Sequence, residues 1–468
     1  MIRPSQRKFT NFVIYINLFI YRLAILSGQI ADGIATNIVG LLIDKTETRI
    51  GKSTPWYILG TLLVIPSFLL TFNKWLICDM ICGEENDSCS ARTYKLICIS
   101  YYTLFPALFN IGWASVQIST MSIVPTITFN QEWVYLLYNI FYSRRDTLVN
   151  LRNAFTYVSN IVTLIIALIL FKFIPDNLWQ FRILCLILTV IGLACASFYL
   201  WGVRESKLSR QAIGALASDI DSTENTTDDQ VSCCTDWLSK SCFYTCGAVY
   251  MFTRMAINIT MTLIPFYLIY VLKFEQSDTE PTPPQIAMVP LASYTSSMMF
   301  SFFGYKPLLR LFIDEKSQCQ TPKSRLSPLF IGVVLIVCSS IPFLLLGPSY
   351  SGMIYMMVPL QGIGLAIMLN ISTSLIADMI GTNSKSVAFV YGTYSLLDKV
   401  MNGILLSIIS QTCIQNPNWL RMLTGTLPVL VAIFGKYFLM IEKVQFSINY
   451  WFNKIFTFNY NNFIFWHL

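Results

Sequence analysis

GQIADGIATNIVGLLIDKTETRIGKSTPW, residues 28–56, is the stretch from which the rest of the chain can be read. Its first half is apolar enough to lie in a bilayer, yet it carries Asp32 in that apolar part. It then turns polar, with Asp44, Lys45, Arg49, Gly51 and Lys52 close together, and Pro55-Trp56 opens the next apolar run. An acid on one membrane helix, a basic hairpin and a second helix are the layout expected of a transport protein's cation site and cytoplasmic hinge.

Working outward, the 468 residues are 54% hydrophobic and only 12% charged. A soluble domain carries about twice that charged fraction, so the bilayer is the natural solvent for this chain. Apolar runs of about 20 residues, the length needed to cross a hydrocarbon core, recur throughout. The formal net charge of +7 is spread over short loops, which argues for orientation in a membrane and against nucleic-acid binding. Thirteen cysteines are too scattered for a metal site. Cys185, Cys195 and Cys338 sit in apolar runs and read as packing residues. Cys78, Cys82 and Cys89 share one polar loop, where a disulfide would leave one of them unpaired. The N-terminus is basic but no small-residue cleavage site follows its apolar run, so a cleaved signal peptide is not expected. Neither a nucleophile–base arrangement nor a cofactor fingerprint is present, so no enzyme activity and no cofactor are expected.

Residues 9–21 read as a short or incomplete first span. Fuller spans are expected near 22–44, 55–77, 95–125, 152–173, 179–202, 241–272, 286–308, 327–347, 352–377, 386–411 and 420–442. The fold class is therefore all-α integral membrane, with 11–12 helices in two six-helix halves, 1–203 and 240–443. A polar linker, 204–239, joins the halves, and an aromatic, Asn-rich tail, 444–468, follows them. Lys45, Arg49, Lys52, Arg144, Arg145, Arg204, Lys207, Arg210, Lys306, Arg310, Lys316, Lys323 and Arg325 fall on one side, which reads as cytoplasmic. The opposite loop holds the sequon Asn86-Asp87-Ser88, a glycosylation candidate, whereas Asn225 lies in the cytoplasmic linker and should stay unmodified. The aromatic segment 130–143 interrupts a short loop. The tail, readable as a surface helix or as sequence without function, contains His467, the only histidine, so a histidine relay in the core is excluded.

Charges inside a membrane are costly and default to functional candidates. Asp32 has Thr36 at i+4 on its face, with Asn37 beside it. Such an acid can hold a small cation or a proton, or it can be one side of a structural ion pair. Arg152 opens the fifth span, where snorkelling to the interface is the plain alternative to binding a carboxylate. Arg254 lies inside the seventh, with Asn258 at i+4, and either arginine could instead pair with Asp32 or Asp398. Asp398 and Lys399 lie in mid-span with Tyr391, Tyr394 and Asn402 nearby. They point about 100° apart on the helix, so Lys399 is free to pair with Asp32 across the halves. Trp113 and Gln117 give the fourth span a polar side.

GLLIDKTETRIGK, with Gly40, Asp44, Lys45, Gly51 and Lys52, resembles the cytoplasmic hairpin motif of the major facilitator superfamily. The longer DGIATNIVGLLIDKTETRIGKSTPWYILGT and VPTIT at 124–128 are similar to the glycoside-pentoside-hexuronide cation symporter branch, with Asp378 and Lys399 at its tenth- and eleventh-helix signature positions. The resemblance runs from about residue 28 to 440 and is carried further by NIGWASVQISTMSIVP, LRNAFTYVSNI, YMFTRMAINITMT and ADMIGTNSKSVAFVYGTYSLLDKVMNG. These segments look most like the lysosomal and melanosomal cysteine transporters of that branch. The resemblance implies a major facilitator fold, alternating access, cysteine as substrate, and a lysosome-related organelle, with the plasma membrane as the other location. In the sugar symporters two acids of the second helix form the cation site. Asp32 matches the first, but Thr36 replaces the second and Gln117 replaces the fourth-helix acid. Arg152 matches the fifth-helix arginine near substrate and Lys399 the lysine near the cation. The departures argue against sodium-coupled sugar uptake and toward proton coupling or none. The implied partners are a small-molecule substrate, a coupled proton or sodium and the lipid bilayer. A non-transporting sensor or scaffold on the same fold is the alternative from another class.

Overall fold

The computed structural model describes residues 27–73, 91–128, 144–174, 176–205, 237–273, 285–312, 322–380, 387–411, 416–438 and 440. The expected first span at 9–21, Asn86, the cysteines Cys78, Cys82 and Cys89, segment 130–143 and the tail 444–468 lie outside these residues.

The described residues form α-helices and short helical turns. In a bilayer, backbone N–H and C=O groups must pair within the segment, which leaves the helix as the economical way to bury long apolar runs. In chain order the rods are α1 (27–45), α2 (Thr54–Phe72), α3 (Ala91–Thr128), α4 (Arg144–Phe173) and α5 (Asn177–Gly202). The second half contributes α6 (Ser241–Tyr270), α7 (Gln285–Phe312), α8 (Pro322–Leu345), α9 (Ile354–Ile380), α10 (Val387–Gln411) and α11 (Pro417–Phe438). Nine of these described helices are long and apolar enough to cross a membrane. The other two are α1 and α10, whose polar residues, Asp32 and Asn37 on one and Asp398, Lys399 and Asn402 on the other, lower their hydropathy. Those two helices pack together.

α9 is the central helix of the second half, with almost its whole length buried from Val358 to Ile380. α7 changes its winding midway: Gln285–Met299 is α-helical, Phe300–Gly304 is a π turn, and Tyr305–Phe312 resumes the α-helix.

The hairpin after α1 turns at Gly51, whose φ of +126° suits glycine. A second constraint acts there, because a Cβ on Gly51 would fall 2.1 Å from Glu205 Oε2. Glu205, just past α5, accepts from the backbone N–H groups of Lys52 (2.8 Å), Ser53 (2.9 Å) and Thr54 (2.8 Å), and from the Thr54 hydroxyl (2.8 Å). These donors lie at and just before the start of α2, where backbone N–H groups lack helical partners, and an anion there also suits the helix dipole. Two residues of the expected linker 204–239 are thus packed into the halves: Glu205 against the hairpin, and Trp237 in the core of the second half.

Candidate substrate site between the halves

α1 and α10 approach closely because glycines remove side chains where they cross. A Cβ on Gly40 would fall 2.6 Å from the Ala388 carbonyl, and one on Gly392 2.7 Å from the Thr36 carbonyl. Gly33 meets Leu396 and Lys399 in the same seam. At the hairpin end, Asp44 Oδ2 accepts from the Phe389 N–H at 2.9 Å, so the hairpin's acid caps the first turn of α10.

Midway along this seam, Lys399 Nζ lies 2.5 Å from Asp32 Oδ2, an ion pair from one half to the other. Both groups are withdrawn from solvent, with side-chain exposures of 14% and 1%. Asp32 Oδ1 has no hydrogen-bond partner among the described residues. Asp398, one position before Lys399, faces its own half: its Oδ2 accepts from Arg254 Nε at 3.1 Å and its Oδ1 from Asn402 Nδ2. Sequence left Arg254 a choice of acids, and the structure pairs it with Asp398. Its side chain remains 28% exposed, so the guanidinium is not enclosed by that pairing.

Next to the ion pairs, a small cavity opens between the halves. Met121, Val149 and Arg152 line it from the first half, and Tyr250, Thr373, Ile376 and Tyr391 from the second. Two acids and three bases therefore meet around the interface. Lys399 and Arg254 each have a carboxylate, whereas Arg152 has no ion-pair partner among the described residues. A guanidinium facing an apolar and tyrosine-lined cavity is suited to a carboxylate supplied from outside the protein.

The other candidate residues fall in several places. Thr36 is fully buried and its hydroxyl donates to the Gly33 carbonyl within α1 (2.9 Å). Tyr394 is buried in a notch left by Gly247, and its hydroxyl donates to the Phe243 carbonyl at 2.6 Å, binding α10 to α6. Trp113 is 47% exposed and stacks on Phe109, with ring centroids 6.5 Å apart. Gln117 and Asn258 are half-buried and do not line the cavity, and Asp378 is half-buried near the end of α9. Lys45 and Lys52 are exposed on the hairpin. Sequence reasoning missed Met121, Val149, Tyr250, Thr373 and Ile376. Helical spacing could have found two of them, since Val149 lies at i−3 from Arg152 and Tyr250 at i−4 from Arg254.

A bundle of apolar helices with a charged cavity between its halves is the architecture of a membrane transporter. Comparison with known proteins agrees. A family model described as "MFS/sugar transport protein" matches residues 6–412, and the chain belongs to that family of the major facilitator superfamily. It is 28% identical over 444 residues to Major facilitator superfamily domain-containing protein 12 of Homo sapiens, covering 88% of this chain and 83% of that protein. It is also 28% identical over 150 residues, 32% of this chain, to the uncharacterized symporter sll1374 of Synechocystis. In fold it is similar to the proton:xylose symporter XylE bound to 6-bromo-6-deoxy-D-glucose, with a TM-score of 0.56 at 13% identity, covering 90% of this chain and 93% of that one. A bacterial homologue of the iron transporter ferroportin in its outward-facing state gives 0.53 at 14% identity, covering 92% and 94%.

Proposed function

We propose that this multi-pass membrane protein is a secondary transporter that moves cysteine, or a related small amino acid, across an organelle membrane by alternating access. The observation that carries this reading is Arg152, which lines the cavity between the halves and has no ion-pair partner among the described residues. A zwitterionic amino acid needs a donor for its carboxylate and an acceptor for its ammonium. Arg152 supplies the first, and the carboxylates of the Asp398 and Asp32 pairs are the nearby source of the second. A substrate with no net charge would leave the cluster's charge balance unchanged. The resemblance to the cysteine transporters of the branch supports the substrate and a lysosome-related location. In this reading the hairpin end is cytoplasmic, and Asp32 is the group through which a proton would couple.

The test is uptake of labelled cysteine into proteoliposomes containing the purified chain, with other amino acids and xylose as competitors. Saturable cysteine uptake, lost in Arg152→Ala, is expected. The second reading is a cation-coupled sugar symporter, favoured by the family description and by the fold's likeness to a xylose symporter. Xylose uptake without cysteine uptake would replace the first reading with the second. Absence of all uptake from a correctly folded chain would favour a non-transporting scaffold.

A further inference from the structure

Charge does not balance around the interface. Asp32 and Asp398 face Lys399, Arg254 and Arg152, so with each group in its ordinary ionised form the described cluster carries one positive charge in excess. The excess resides on Arg152. The groups that act on it electrostatically are the phenols of Tyr250 and Tyr391 and a second cation, Arg254, with no acid among them. An uncompensated charge inside a membrane protein is costly, and repulsion from Arg254 adds to the cost. The wall around Arg152 has a definite chemistry. Met121, Val149 and Ile376 are apolar and buried. Thr373 donates its hydroxyl proton to the Leu369 carbonyl (2.7 Å) and accepts from Asn153 (3.1 Å), so its polar hydrogen is turned away from the cavity. The N–H and O–H donors left in the wall are the guanidinium and the two phenols, and none of the lining residues is an acid.

We propose that Arg152, with the Tyr250 and Tyr391 phenols beside it, is a binding site for a halide ion such as chloride, which neutralises the cluster when no substrate carboxylate is bound. The inference rests on reading Arg152 as an anion site, as the proposed function does. Three observations select a halide. The excess is a single charge, so a dianion would overshoot it. The cavity is small and suits a monatomic ion. A guanidinium is itself weakly hydrated, and set among phenols and apolar side chains it suits an anion that gives up its water readily. A halide and the carboxylate of an amino acid would then claim the same guanidinium, so each excludes the other.

Thermal unfolding of the purified full chain in lipid nanodiscs tests this, with chloride exchanged stepwise for methanesulfonate, a bulkier anion, at constant ionic strength. Chloride, or bromide in its place, is expected to raise the midpoint saturably by about 2–4 °C. Arg152→Gln removes the excess charge and should unfold at the same temperature in either salt. Tyr250→Phe keeps the ring and loses one donor, so its half-saturating chloride concentration should rise about tenfold. Equal midpoints in the two salts for the unmodified chain would overturn the site. So would an undiminished rise in Arg152→Gln, which would mark an adventitious salt effect only. If Arg152→Gln fails to fold, Tyr250→Phe decides, and an unchanged half-saturating concentration overturns the site. Saturating cysteine should raise the half-saturating chloride concentration of the unmodified chain. A halide response that cysteine leaves unmoved would keep the anion site and remove cysteine as its substrate, whereas cysteine uptake without any halide response would do the reverse.

Discussion

Lys399 and Asp32 are each expensive alone in an apolar interior, and each makes the other tolerable. Lys399→Ala would leave a buried acid without its counter-charge and is expected to cost about 3–5 kcal/mol. Lys399→Met combined with Asp32→Asn should recover most of that loss, read as thermal unfolding in detergent. If the pair also carries coupling, the double variant will be stable yet lose proton-driven accumulation. Arg152 behaves differently, because no acid among the described residues pairs with it. Arg152→Lys keeps the charge but loses the planar fork. It is expected to lower substrate affinity by about tenfold or more, the order of a lost charge-assisted hydrogen bond, while stability changes little. A large stability loss in Arg152→Lys would assign the residue to structure instead of binding.

At the level of elements, the seam between α1 and α10 depends on absent side chains. Gly392→Ala would place a methyl group 2.7 Å from the Thr36 carbonyl, and backbone does not yield as a flexible side chain does. The variant is expected to hold the two helices apart, weaken the Asp44–Phe389 contact and slow uptake, with normal insertion into the membrane. Cross-linking of cysteines introduced at the two ends of that contact would report the separation directly. Glu205→Ala removes the acceptor for four donors at the start of α2 and is expected to destabilise by about 1–3 kcal/mol. Glu205→Gln, which keeps an acceptor oxygen, should lose less in the same unfolding measurement. Much of this scale was legible beforehand. The helices follow the apolar runs, and their ends agree with the expected spans to within a turn or two in most cases, because charge and proline mark the edges. The π turn in α7 was not legible: FSFFG is apolar and aromatic like its flanks, and only packing against Asn150 and Asn370 distinguishes it. Glu205 was hidden for another reason, since a single acid after a span looks like ordinary loop sequence.

For the whole molecule, the described halves touch along two seams, α1 and α3 with α10, and α4 with α7 and α9. The cavity lies between the seams, so movement about it must alter both. The ionic core was readable from sequence because each isolated charge in an apolar span demands an account. The cavity wall was less so, because Thr373, Ile376 and Val149 are ordinary membrane-helix residues that acquire meaning only from what faces them. The cross-half pairing of Lys399 with Asp32 has a further consequence for how such a chain can be assembled from parts. A chimera that takes residues before the linker from a relative with no acid at the Asp32 position would inherit a stranded lysine from the other parent. The halves of this protein are thus matched like a lock's two leaves, and an exchange succeeds when acid and base travel together.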